Sequence, residues 1–183
     1  LQARVRAARA EQLTAGPALW LVFTKSAHTR AALQGIAHLI GPDTHFLSLQ
    51  NGIRNADILA AGLPGSQILR GMVPFNVVTG PDGLHRRTTS GDICADPEAA
   101  PFASIFARAG LPLSLRPDMQ AVQWGKLIVN LNNAVNALSG LPLKAQLQDR
   151  DYRRCLALAQ VEAIRLLRAE RRIRPARLTP VPP

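Results

Sequence analysis

The chain has 183 residues, a formal net charge of +10 and 47% hydrophobic residues, which is enough apolar material for one large or two small globular domains. It contains no apolar run near the roughly 20 residues of a membrane span and no signal peptide, so we predict a cytoplasmic location and no membrane partner. Two isolated cysteines and four scattered histidines predict neither a disulfide framework nor a metal site.

The excess charge is arginine concentrated towards both ends. With 4% aromatic residues and no nucleic-acid-binding motif we predict no nucleic-acid partner; binding that weakens steeply with salt would contradict this.

A strand and a helix begin the predicted fold. Residues 18–25 (ALWLVFTK) are apolar on both faces, as in a central strand of a parallel sheet. A helical pattern follows, with Ser26 or Thr29 as the expected cap. Further strands are predicted at residues 45–52 (HFLSLQNG) and 66–78 (SQILRGMVPFNVV), with a short helix between them at residues 55–63. This alternation predicts a doubly wound parallel sheet.

The pattern changes after the third strand. Strand-like stretches on both sides of residues 80–83 (GPDG) predict an antiparallel hairpin. A helix ending at Gly110 and a last short strand are expected next. From Met119 onward the sequence predicts helices. We therefore predict two domains, residues 1–116 and residues 117–183.

Residues 124–140 (WGKLIVNLNNAVNALSG) predict a helix with an unusual polar face. The apolar residues, Leu138 among them, share one arc, while Lys126, Asn130 and Asn133 follow i, i+4, i+7 spacing on another arc. Amides donate and accept hydrogen bonds without adding charge. Two interpretations stay open at this point: a ligand-binding face in a half-buried cleft, or a helix interface with amides paired across it.

Polar residues also follow two of the predicted strands. Residues 24–26 (TKS) end the first strand, and residues 50–52 (QNG) end the second. In open α/β sheets ligands bind beyond the carboxyl ends of the strands, and the glycine after Asn51 allows close approach to the backbone. An Asn-Gly pair is more often a plain turn. Together with the polar helix face, the two strand ends predict a ligand-binding cleft.

Four stretches of the chain resemble 2-dehydropantoate 2-reductases, or ketopantoate reductases, of the 6-phosphogluconate dehydrogenase-like superfamily. They are VFTKSAHT, SLQNGI, RGMVPFNVVTGPDG…SGDI and WGKLIVNLNNAVNAL, in the family's order. The resemblance implies an incomplete Rossmann-like parallel sheet that binds NADPH, followed by an all-α domain, in a protein that could form a homodimer. It implies the reduction of 2-dehydropantoate to (R)-pantoate, a step towards coenzyme A.

The resemblance also implies roles for individual residues. Lys126 resembles the family's general acid, and Asn130 resembles the residue that hydrogen-bonds the substrate. Asn51, followed by Gly52, resembles the strand-end amide near the nicotinamide, and Lys25 resembles the lysine on the cofactor side. An acid is needed because hydride addition to a ketone builds negative charge on oxygen. Burial that lowers a lysine's pKa suits this role.

The chain departs from the family pattern in three ways. It contains no GxGxxG turn, which the family carries upstream of Leu1. The family's substrate serine and active-site glutamate fall after Pro183. Both ends therefore look cut from a longer protein, and the chain alone is expected to bind NADPH poorly. Ala134 replaces the family's second substrate asparagine, and Asn133 is the expected substitute. Another 2-keto acid substrate, or an inactive fragment, are the open alternatives.

Overall fold

The structure, a computed structural model, describes residues 7–170 and 174–176, apart from the side chain of Glu170. The chain forms two compact units, divided between Met119 and Gln120. The strands are β1 (Leu19–Val22), β2 (His45–Ser48), β3 (Gln67–Met72), β4 (Val77–Thr79), β5 (His85–Arg87), β6 (Ile93–Ala95) and β7 (Leu113–Leu115). The helices are α1 (Thr29–Ile36), α2 (Asn55–Gly62), α3 (Ala103–Arg108), α4 (Met119–Asn130), α5 (Asn132–Ser139), α6 (Leu143–Gln148) and α7 (Arg150–Glu170). Short 3-10 helices lie at Ala10–Gln12, Ser26–His28, Ala37–Leu39 and Pro97–Phe102.

The described part of the first unit is built on a sheet of strand order β1-β2-β3-β6-β7. The first three strands are parallel, with Leu19 opposite His45 and His45 opposite Gln67. Because helices connect these strands, each connection returns the chain to the end of the sheet where the previous strand began, so the next strand runs in the same direction. The predicted parallel βαβαβ order is confirmed for β1 to β3.

The sheet becomes mixed after β3. β6 pairs antiparallel with β3, and β7 pairs parallel with β6. The hairpin β4–β5 lies in the connection, with Val77 opposite Arg87, so the antiparallel pair predicted around residues 80–83 is confirmed. Since the connection carries a hairpin in place of a crossover helix, β6 returns in the opposite direction.

Two apolar clusters cover opposite faces of the sheet. Phe46 and Leu47 are neighbours in β2, both are 0% exposed, and successive strand residues point to opposite faces. Phe46 packs with Leu33 of α1 and Leu59 of α2, whereas Leu47 packs with Phe106 of α3. Helices on both faces explain why the central strands read as continuous apolar runs. Truncating Phe46 to alanine is expected to cost about 3–5 kcal/mol.

The second unit is helical. α5 packs on α6 and α7, and Gln160 Nε2 in α7 donates to the carbonyl oxygen of Ile128 in α4 at 3.4 Å. The single helix predicted over residues 124–140 is wrong in one respect, because it is interrupted at Leu131. Leu131 keeps helical angles (φ −57°, ψ −27°), so the break is local. Leu138 belongs to the predicted apolar arc but is 91% exposed, because the described helices around α5 do not cover it.

Candidate functional site

The strand ends of the first unit meet in a buried polar network centred on Gln50. This residue is 6% exposed. Its Nε2 donates to the carbonyl oxygen of Thr24 at 2.8 Å and to the hydroxyl oxygen of Thr29 at 2.8 Å. Its Oε1 accepts from the Ser48 hydroxyl at 3.1 Å. The network ties the end of β2 to the turn after β1 and to the start of α1.

The turn at Asn51 fixes a backbone and leaves a side chain at the surface. The carbonyl oxygen of Asn51 accepts from Nδ2 of the buried Asn55 at 2.8 Å and from the Ser26 hydroxyl at 3.4 Å. Gly52 has φ +105°, which favours glycine. A Cβ on Gly52 would lie 3.4 Å from Asn55 Nδ2. Asn51 itself is exposed, so its amide is open to a ligand.

Lys25 lies in the turn after β1, immediately before the 3-10 helix. It is exposed, and its carbonyl oxygen accepts from the His28 backbone N–H at 2.8 Å. The contact of Ser26 with Asn51 brings this turn to the end of β2. The structure thus places Lys25 and Asn51 at neighbouring strand ends of one unit.

The prediction that Ser26 or Thr29 caps the helix after β1 is wrong. The Ser26 and Thr29 hydroxyl groups bond to Asn51 and Gln50 and not to a helix terminus.

Lys126 lies in α4 and is half-buried. Val122, one turn earlier on the same helix face, is 0% exposed. Burial removes water from the ammonium group and lowers the pKa of Lys126. Among the described residues the ion pairs join Arg86 to Asp82 and Arg116 to Asp118, so no carboxylate there offsets the desolvation. A lysine in this state is a stronger acid than an exposed one.

Two of the asparagines that follow Lys126 are bonded within the second unit. Asn132 Nδ2 donates to Oε1 of Gln146 at 3.3 Å. Asn136 Nδ2 donates to the carbonyl oxygen of Leu141 at 3.0 Å. Gln146 is 0% exposed, so the first of these bonds lies inside the helical unit. The interface interpretation of the amides therefore applies to Asn132, whereas Asn136 bonds locally to the loop after α5.

Asn130 and Asn133 differ from those two asparagines. Within residues 7–170 and 174–176 neither side chain forms a hydrogen bond. Asn130 is half-buried and lies one turn after Lys126 in the same helix, so the two side chains share a face. Asn133 is exposed and lies in α5, beyond the interruption. Of the two amides, Asn130 has the position that the helical spacing predicted.

Comparison with known proteins places the chain in a family. The family model described as "Ketopantoate reductase PanE/ApbA" matches residues 2–97. The chain belongs to this family. The 2-dehydropantoate 2-reductase of Caulobacter vibrioides is 28% identical over 156 residues, which are 80% of this chain and 54% of the relative. That of Mycobacterium tuberculosis is 28% identical over 162 residues, 83% and 55% of the two chains. The chain spans about half the length of the curated relatives it matches.

Solved structures support the same fold. A PanE/ApbA family ketopantoate reductase from Ralstonia eutropha JMP134 superposes with a TM-score of 0.77 at 27% identity, over 88% of this chain and 54% of that chain. D-mandelate dehydrogenase with NADH and anilino(oxo)acetate gives a TM-score of 0.79 at 21% identity, over 91% and 56% of the two chains. The Rossmann-like sheet followed by helices, as predicted, is the fold of ketopantoate reductases.

Features elsewhere in the described residues bear on other kinds of site. No three His, Cys, Asp or Glu side chains there are grouped so that they could hold a metal ion. No helix in that part of the chain combines the length and apolarity needed to cross a membrane. A cavity of about 300 Å³ opens between α1 and α2, lined by Arg30, Leu33 and Leu63 among others. None of the predicted site residues lines this cavity.

Sequence reasoning missed the depth of the polar network. Gln50 was recognised as a polar strand end, but neither its burial nor its bonds to Thr24 and Thr29 were predicted. Asn55 was assigned only to a short helix. Alternation does not mark Gln50 as buried, because residues 46–50 are buried whichever face of the sheet they point to.

Proposed function

We propose that the protein containing this chain reduces 2-dehydropantoate to (R)-pantoate with NADPH, and that Lys126 is the general acid. The observation that carries the proposal is the state of Lys126, which is half-buried, has a lowered pKa and has no ion-pair partner among the described residues. Membership of the ketopantoate reductase family and the names of the relatives support the reaction.

Lys126 donates its proton to the ketone oxygen of the substrate. Negative charge develops on this oxygen while the carbonyl carbon is reduced, and a positioned acid neutralises it. Desolvation favours the neutral amine, so it favours the transfer. Asn130, one turn away, holds the substrate through an amide that can donate and accept. Because that amide carries no charge, it does not pair with the ammonium group. Asn133 is proposed as a second substrate amide.

We assign the cofactor to the strand ends of the first unit. The groups present there fit a dinucleotide: Lys25 offers an exposed cation, Asn51 offers an exposed amide, and Gly52 leaves the backbone open to close approach. NADPH supplies the hydride when it is bound. The proposal therefore gives residues 1–116 to the cofactor and residues 117–183 to the substrate. A cytoplasmic homodimer completes it.

A second candidate is an oxidoreductase of the same fold that acts on another 2-keto acid. The observation that favours it is Ala134, which stands where the resemblance places the second substrate asparagine. A methyl group cannot bond a substrate hydroxyl or carboxylate. The neighbouring Asn133 is exposed and is the second residue of α5. A site with one amide fewer would accept a substrate with one polar group fewer.

A turnover assay on the protein as encoded separates these candidates. NADPH or NADH oxidation is followed with 2-dehydropantoate and with a panel of other 2-keto acids. The highest kcat/KM for 2-dehydropantoate with NADPH supports the first candidate. A preference of about ten-fold or more for another 2-keto acid selects the second. Absence of oxidation with every pair would refute both.

A further inference from the structure

Gln50 lies beside Lys25 and Asn51, the two residues that the proposed function assigns to the cofactor. Besides the Thr24 carbonyl and the Thr29 hydroxyl, its Nε2 lies 3.2 Å from the Thr24 hydroxyl oxygen. Thr24 and Thr29 bracket the segment that contains Lys25, so one amide group holds both ends of that segment. Gln50 also directly precedes Asn51 in the chain. Its side chain is therefore placed to set the position of both neighbours.

The chemistry of its partners fixes the orientation of the Gln50 amide. A backbone carbonyl only accepts hydrogen bonds, so the group that faces the Thr24 carbonyl oxygen at 2.8 Å is the NH2. The amide oxygen then lies 3.1 Å from the Ser48 hydroxyl, which can donate. An amide satisfies both of these contacts. A carboxylate would set an acceptor against an acceptor at Thr24.

Apolar packing does little to hold the segment from Thr24 to Thr29. Lys25, Ala27 and His28 are exposed, and Thr29 is the buried residue of the segment. The 3-10 turn in it is a single short turn, which is weak by itself. The Ser26 contact with Asn51 is long, at 3.4 Å. The hydrogen bonds of Gln50, at 2.8 Å, are therefore the shortest side-chain contacts that hold this turn to the end of β2.

We propose, resting on the proposed function, that Gln50 is a positioning residue for the dinucleotide. It holds the turn after β1 and the turn after β2 in one arrangement, so that Lys25 and Asn51 meet the cofactor already in place. Gln50 acts through these two residues and does not itself touch the cofactor. Its replacement weakens dinucleotide binding and leaves the use of the keto acid nearly unchanged.

The test compares Gln50→Glu with Gln67→Glu in the protein as encoded. Gln67 is exposed at the start of β3 in the same unit, so its variant adds the same charge away from the network. Dissociation constants for NADPH and NADH are measured directly by fluorescence titration. KM for the keto acid is measured at saturating dinucleotide. We expect Gln50→Glu to weaken dinucleotide binding about ten-fold and to change that KM by less than about two-fold. Gln67→Glu should change neither.

A folded Gln50→Glu variant with the wild-type dissociation constant would overturn the proposal, since a purely structural role lowers the melting temperature alone. If Gln50→Glu does not fold, Thr24→Val takes its place, because it removes the hydroxyl contact and keeps the carbonyl contact. It should weaken dinucleotide binding about three-fold, and unchanged binding would again overturn the proposal. Wild-type protein that binds neither dinucleotide also overturns it. Wild-type protein that binds a dinucleotide but does not reduce 2-dehydropantoate refutes the proposed function, while the ratio of dissociation constants still decides the role of Gln50.

Discussion

Amide side chains concentrate in two regions of the molecule and differ in what they bond. At the strand ends of the first unit, Gln50 and Asn55 are buried and bonded to the protein. In the second unit, the side chains of Asn130 and Asn133 form no hydrogen bond with another described residue, and Asn130 lies one turn from the half-buried Lys126. Amides with protein partners hold the backbone in place, whereas amides without them are available to a ligand.

The same difference recurs within the pair of helices α4 and α5. Asn132 and Asn136 have partners in their own unit, and Asn130 does not. Asn130 and Asn132 are two residues apart, so they face different directions on the helical path. Residue type alone does not separate a structural amide from a functional one; its direction and its neighbours do.

The largest expected effect comes from removing the charge of Lys126. Lys126→Met should lower kcat by about 10²- to 10⁴-fold, the usual range for a general acid. The folded state should not lose stability, because the variant removes a desolvated charge that lacks an ion-pair partner. Steady-state kinetics and urea denaturation measure the two quantities. Lys144→Met, at an exposed lysine of α6, is the matched control, and wild-type kcat in Lys126→Met would remove the assignment.

The next largest effect concerns the hydrogen-bonded amide of Gln50, whose removal should lower the stability of the fold. Gln50→Leu should lower the free energy of unfolding by roughly 2–4 kcal/mol, because the Thr24 carbonyl and the Thr29 hydroxyl lose a partner at a cost of about 1–3 kcal/mol each. Gln67→Leu should change it by less than about 0.5 kcal/mol, as for most exposed positions. Equal effects of the two variants in denaturant titrations would show that the network contributes nothing.

A smaller effect sharpens the comparison within the helical unit. Asn130→Ala should lower kcat/KM for the keto acid about ten-fold and leave stability unchanged, since its amide has no hydrogen bond to a described residue. Asn132→Ala should cost about 1 kcal/mol of stability, because Gln146 loses its partner, and should leave kcat/KM unchanged. The reverse pattern in paired kinetic and unfolding measurements would contradict the division into open and bonded amides.

The smallest expected effect is a pH dependence that comes from Lys126. Its folded-state pKa lies below the ordinary value of 10.5, so between those two values the unfolded chain binds more protons than the folded one. Stability therefore rises with pH through that window. The stability advantage of Lys126→Met over wild type should shrink as the pH rises to 10.5, and kcat should fall as the ammonium group loses its proton. A constant stability difference across the window would contradict the lowered pKa.

Local patterns predicted much of this fold. The apolar runs at β1 to β3 predicted the parallel strands, and the turn residues at 80–83 predicted the hairpin. Both patterns depend on residues that are neighbours in the chain. The antiparallel return of β6 was not predicted, since strand direction depends on where a later segment finds a free edge. The interruption at Leu131 was missed because its helical angles leave the apolar period nearly intact.

The sequence by itself determined that polar residues follow two strands and that Lys126 and Asn130 share one helical turn. Both properties follow from periodicity, which every short segment carries in its own residues. Tertiary structure decided the partners of Gln50 and Asn132, whereas Asn55 and Asn136 bond to carbonyl oxygens four and five positions away. Gln50 bonds to Thr24, 26 positions earlier, and Asn132 bonds to Gln146, 14 positions later. Such partners come from other elements of the fold, so no local pattern can name them before the chain has packed.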